Sequence, residues 1–66
     1  MEDFNAGEFD LALSIIRLYG NRAASVTMAH AESLWARGEM PAGERWFRVH
    51  EIVVRNQALE RGSTAA

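Results

Sequence analysis

Residues 38–41, Gly38-Glu39-Met40-Pro41, decide how this chain folds. A glycine that can turn left-handed ends one helix. A proline just beyond it opens the next, because the first helical turn has no use for the missing N–H. Similar punctuation occurs upstream at Gly20-Asn21. Around both points apolar residues recur at alternating three- and four-residue spacing, the period of a helix. The expectation is all-α: a small three-helix bundle forming one domain over about 1–61, with helices over about 6–19, 22–37 and 41–61 and a small, polar, flexible tail over 62–66.

The third segment carries an ambiguity. Ile52-Val53-Val54 is a β-branched run that would suit a strand. The length of the segment, its lack of a turn signal and the polar returns at Arg48, Glu51 and Arg55 favour helix. Trp46, Val49, Ile52 and Val53 form one stripe there; Phe47, Val54 and Ala58 form a second, beyond His50 and Gln57. The second segment is capped by Asn21 in this reading and carries a narrow seam of Ala24, Thr27, Met28, Ala31, Leu34 and Trp35, with alanines that let helices approach closely.

In the first segment Asn5 is placed as cap, with Glu8 three residues on as a capping box requires. Phe9, Ala12, Leu13 and Ile16 form its central stripe. Ile15, Leu11, Leu18 and Tyr19 widen that stripe to an arc of about 220°. Asp10, Ser14 and Arg17 make the polar face. Such width has two explanations. Each helix of a bundle faces two neighbours, or a flank such as Leu11 and Leu18, Phe47 or Val54 stays exposed as a docking patch or dimer seam.

Composition excludes more than it identifies. The chain has 66 residues, enough for one domain with a marginal core. It has no cysteine, so disulfides, thiolate nucleophiles and zinc–sulfur sites are ruled out. Seven Arg, seven Glu, two Asp and no Lys give a formal charge of −2, which argues against wholesale phosphate binding. The lack of lysine reflects coding bias, or the use of arginine's planar fork at an interface. No apolar run is long enough to span a membrane. Met1-Glu2-Asp3-Phe4 is acidic where a signal peptide is basic, so the expected location is cytoplasmic.

No catalytic, cofactor or metal site is expected. His30 and His50 each lack a second ligand at metal-binding spacing. Ser14, Ser25, Ser33 and Ser63 lie in no nucleophile motif, and no glycine-rich phosphate loop is present, the glycines being read as ends and turns. The acidic start (Glu2, Asp3, Glu8 and Asp10) either favours the positive end of the first helix or meets a basic groove on a partner. Arg45, Arg48 and Arg55 raise a helix-turn-helix alternative, but Glu44 and Glu51 stand four residues before Arg48 and Arg55, the favoured order for intrahelical pairs.

Taken whole, the chain resembles the very short anti-CRISPR proteins of phages and mobile elements, in particular those directed at type I systems, subtype I-C among them. The resemblance lies in Met1-Glu2-Asp3-Phe4-Asn5 opening an acidic chain, with arginine as its only basic residue type and a compact helical frame around Trp35, Trp46 and Phe47. It covers the whole chain and rests on no diagnostic motif. It implies a non-enzymatic inhibitor in the cytoplasm of a bacterial host. Such a protein binds a Cas subunit of the type I Cascade, as monomer or weak homodimer, and stops target DNA from loading, with no direct nucleic-acid or membrane contact of its own. Glu2, Asp3, Glu8 and Asp10, with Glu32, Glu39 and Glu44 as a second group, are the candidate partner-binding residues. The alternatives are a small helix-turn-helix DNA binder and a self-associating helical protein.

Overall fold

The computed structural model describes the backbone of residues 3–65 and the side chains of residues 7–59. The fold is all-α, with no strand among the described residues. Helical backbone runs from Asp3 to Ala36 with a single 3-10 turn inside it, and again from Met40 to Ala65. We label the α-helical parts α1 (Asp3–Tyr19), α2 (Ala23–Ala36) and α3 (Met40–Ala65); the 3-10 turn is Gly20–Arg22.

The two punctuation points differ in kind. At Gly38 the chain leaves the helix fully. Gly38 is left-handed (φ +82°). Its N–H donates to the Trp35 carbonyl at 2.9 Å, and the Glu39 N–H donates to the Leu34 carbonyl at 2.9 Å. These are the two bonds of a Schellman stop, and they satisfy carbonyls that α2 would otherwise leave open. The Gly43 N–H then donates to the Glu39 carbonyl at 3.0 Å, which starts α3. Pro41 sits within that first turn, where its missing N–H costs nothing.

At Gly20 the backbone is also left-handed (φ +58°), yet hydrogen bonding continues: the Ala23 N–H donates back to the Gly20 carbonyl. The expected cap at Asn21 is therefore not formed. Asn21 lies inside the 3-10 turn, and α2 has no side-chain cap at its start. Gln57 of α3 secures the turn instead, its Nε2 donating to the Gly20 carbonyl at 2.9 Å.

Both outer helix ends also differ from expectation. α1 begins at Asp3, which places Asn5 within the helix and leaves Glu8 free of any capping-box role. α3 continues through Gly62 to Ala65. Glycine permits a stop but does not impose one, and keeping it helical costs about 1 kcal/mol relative to alanine. Ala66, the last residue of the tail expected to be flexible, lies outside the described residues.

The core joins all three helices through short side chains. Ala12 and Ile15 of α1, Ala23 of α2, and Val49 and Val53 of α3 form one buried cluster, with Ile16, Ala24, Trp46 and Ile52 packed on its edge. Ile52-Val53-Val54 is helical, since Val53 is needed in that core and helical spacing puts it one turn from Val49. On α2 the buried positions are Ala23, Thr27, Ala31 and Leu34, close to the expected seam.

Gly43 was expected at a turn and is instead a buried position inside α3. A Cβ there would overlap the indole of Trp35, so the bare backbone is what lets the ring lie on α3. The arrangement leaves the Trp35 Nε1–H buried without an acceptor, a cost of about 1–3 kcal/mol that the ring's packing must offset.

Candidate partner-binding surface

The acidic residues do not form the surface the sequence suggests. Glu8 is the clearest departure, being 7% exposed. Its carboxylate accepts from Arg48 Nε of α3, at 3.3 Å to Oε1 and 3.2 Å to Oε2. Glu8 therefore closes α1 onto α3 and is not a free carboxylate for a partner. The cause is a rotation of α1. Its core positions are Glu8, Ala12 and Ile15, turned by about 80° from the stripe centred on Phe9, Ala12, Leu13 and Ile16. Phe9 and Leu13 are left 44% and 37% exposed. Arg48 pairs across helices with Glu8, not along its own helix with Glu44.

Of the remaining candidates, Glu2 lies outside the described residues, and Asp3 is described only as the first residue of α1. Asp10, Glu32 and Glu44 are exposed, one on each helix. Glu39 is exposed in the link after α2, and its carboxylate lies 3.6 Å from Arg37 across an open surface. Such an exposed pair stabilises by less than about 1 kcal/mol, so Glu39 stays available to a partner.

Between α2 and α3 a shallow groove of about 470 Å³ is lined by Met28, Phe47, His50, Glu51, Val54 and Arg55. One wall is built with care. Thr27 is fully buried, and its hydroxyl lies within 3.1 Å of the Ala23 and Ala24 carbonyls and of His50 Nδ1. His50 Nδ1 is also 3.0 Å from the Ala24 carbonyl. A carbonyl only accepts, so Nδ1 carries the proton and donates, while the Thr27 hydroxyl donates to backbone and accepts from the ring. That fixes the imidazole and leaves Nε2 as the nitrogen not held by this network. Phe47 stacks beside the ring (centroids 5.8 Å apart, 26° between planes) and also lies 5.8 Å from Trp35, tilted by 43°. His30 lies tilted on Trp46 with centroids 4.3 Å apart.

The described residues contain no cluster of three or more His, Asp or Glu able to hold a metal ion. No helix among them is long and apolar enough to cross a membrane. What the surface offers is apolar. Phe9, Leu11, Leu13, Leu18, Tyr19, Met40, Val54 and Leu59 are all exposed, five of them on α1. The wide arc of α1 signals this in the sequence, and the second stripe of α3 signals two residues of the groove, Phe47 and Val54; the Thr27–His50 bond beside it, made between helices, has no such signal.

Compared with protein-family models, with curated proteins and with solved structures, the chain finds no match.

Proposed function

We propose that this chain is a non-enzymatic binding protein, folded as a small three-helix bundle, that acts in the cytoplasm of a bacterial host as an anti-CRISPR inhibitor. Its target in this proposal is a Cas subunit of a type I Cascade, and its effect is to keep target DNA from loading. The observation that supports a binding role is the exposure of eight large apolar side chains among the described residues of so short a chain. Leu11 and Leu18 share one flank of α1 and Phe9 and Leu13 the other, and an apolar flank left in solvent is the kind of surface another protein covers. The exposed carboxylates of Asp10, Glu32, Glu39 and Glu44, with Glu2 and Asp3, supply the charge that would compete with DNA phosphates for a basic site and speed encounter with it. Glu8, held by Arg48, is not part of that set.

A gel-shift titration with a type I-C surveillance complex and its target duplex tests this, with one lane holding this protein and DNA alone. The expected result is loss of the complex's shift with free DNA unmoved. Charge reversal by Glu32→Lys and Glu44→Lys should weaken the inhibition, and unchanged potency would remove the acidic mechanism. An unchanged complex shift would overturn the inhibitor reading, and a shift of DNA alone would replace it with the helix-turn-helix one.

A further inference from the structure

The outer flank of α1 carries a knob, a hole and two unpaired charges in a pattern that fits itself. Leu18 is the knob, at 75% exposed the most open large apolar side chain described. The hole, about 260 Å³, lies two to three turns earlier on the same helix, lined by Gly7, Glu8, Leu11 and Arg45. A Cβ on Gly7 would meet nothing within 4 Å, so the hole is open above the bare backbone. Gly7, Leu11, Ser14 and Leu18 follow one another at spacings of four, three and four, which puts them on one face. Asp10 and Arg17, seven residues apart, run along one edge of that face; both are exposed and neither has an ion-pair partner among the described residues.

We infer that this flank binds a second copy of the chain, with the two α1 helices antiparallel about a two-fold axis. In a two-fold pair every contact is made twice, so the surface must complement itself. Setting Leu18 of one copy over Gly7 of the other also sets Leu11 over Ser14, so each leucine meets a small residue. In an antiparallel pair the same edge of each helix faces its counterpart. Asp10 then lies beside Arg17 of the other copy, offset by about 3 Å along the axis at 1.5 Å per residue. Two ion pairs form symmetrically. A parallel pair would put the two Asp10–Arg17 edges on opposite sides of the seam, so neither ion pair would form. The surface thus selects both partner and direction. In this dimer Asp10 belongs to the seam, and the described carboxylates left for another protein are Glu32, Glu39 and Glu44.

Analytical ultracentrifugation of the full chain over a concentration series tests this, with circular dichroism as the check on folding. The expected species is twice the 7.4 kDa chain mass. Gly7→Leu fills the hole at a helical position with open space above it, so it should keep the helix and weaken the dimer by roughly tenfold or more. Asp10→Arg and Arg17→Asp should each weaken it, and the double exchange should restore it, because the pairs re-form with reversed sign. A chain that stays monomeric at its solubility limit overturns the inference. So does a dimer indifferent to Gly7→Leu and to the charge exchange, which would place the seam elsewhere.

Discussion

The α2–α3 pair and α1 solve the same problem in opposite ways. α2 and α3 meet through detail: Gly43 under the Trp35 ring, a buried Thr27 hydroxyl shared with His50, and a Schellman stop that reverses the chain between them. Among the described residues, α1 buries Ala12, Ile15 and Glu8, holds on through one ion pair, and leaves five large apolar residues in solvent. Close backbone approach fixes one arrangement, because no other fills the space. A broad apolar arc with one polar tether fixes an attachment but leaves surface over. The first region specifies the fold; the second is available to a partner.

The contrast is most easily broken at Gly43. Gly43→Ala should destabilise the chain by about 3 kcal/mol, the upper end of ordinary overpacking, since the new methyl meets a ring and not the tip of a flexible chain. Urea unfolding would read this as a lower midpoint, and an unchanged midpoint would mean the α2–α3 contact is looser than described. Glu8→Gln should cost less, about 1 kcal/mol, because Arg48 is half exposed and water replaces much of what it loses. Its loss should loosen α1 first, visible as faster amide exchange in α1 than in α2. Smallest is Leu13→Ser on the exposed flank, expected within about 0.5 kcal/mol of the parent. A large loss there would show that α1 is buried by something in solution.

The helical class and the Gly38 stop were legible because each rests on local chemistry: a period, a left-handed glycine, a proline in a first turn. Gly20 is left-handed too, but helical backbone continues through it, and α3 runs on past Gly62. The rotation of α1 was not legible. Its arc is so wide that several orientations bury similar area, and the one adopted brings Glu8 to Arg48, forty residues away in the sequence, a pairing that no local pattern announces. Asn21 looked like a cap because its residue type suits one; a 3-10 turn satisfied the backbone first. Gly43 looked like punctuation because glycine usually is; only the opposed Trp35 ring explains it. Of the proposed acidic set, exposure is visible in the structure for Asp10, Glu32, Glu39 and Glu44, and Glu8 is claimed by the fold.

The short side chains of the core have a thermal consequence. Among the described residues nothing larger than valine is fully buried. Alanine and valine give up little rotational freedom when they are packed, so the interior is inexpensive to order. They also hide little oily surface, so unfolding takes up little extra heat capacity. The stability curve should be low and flat, with no sharp optimum and a melting transition spread over many degrees. A calorimetric trace of this protein alone would be broad and shallow, and would steepen once the leucines of α1 are covered.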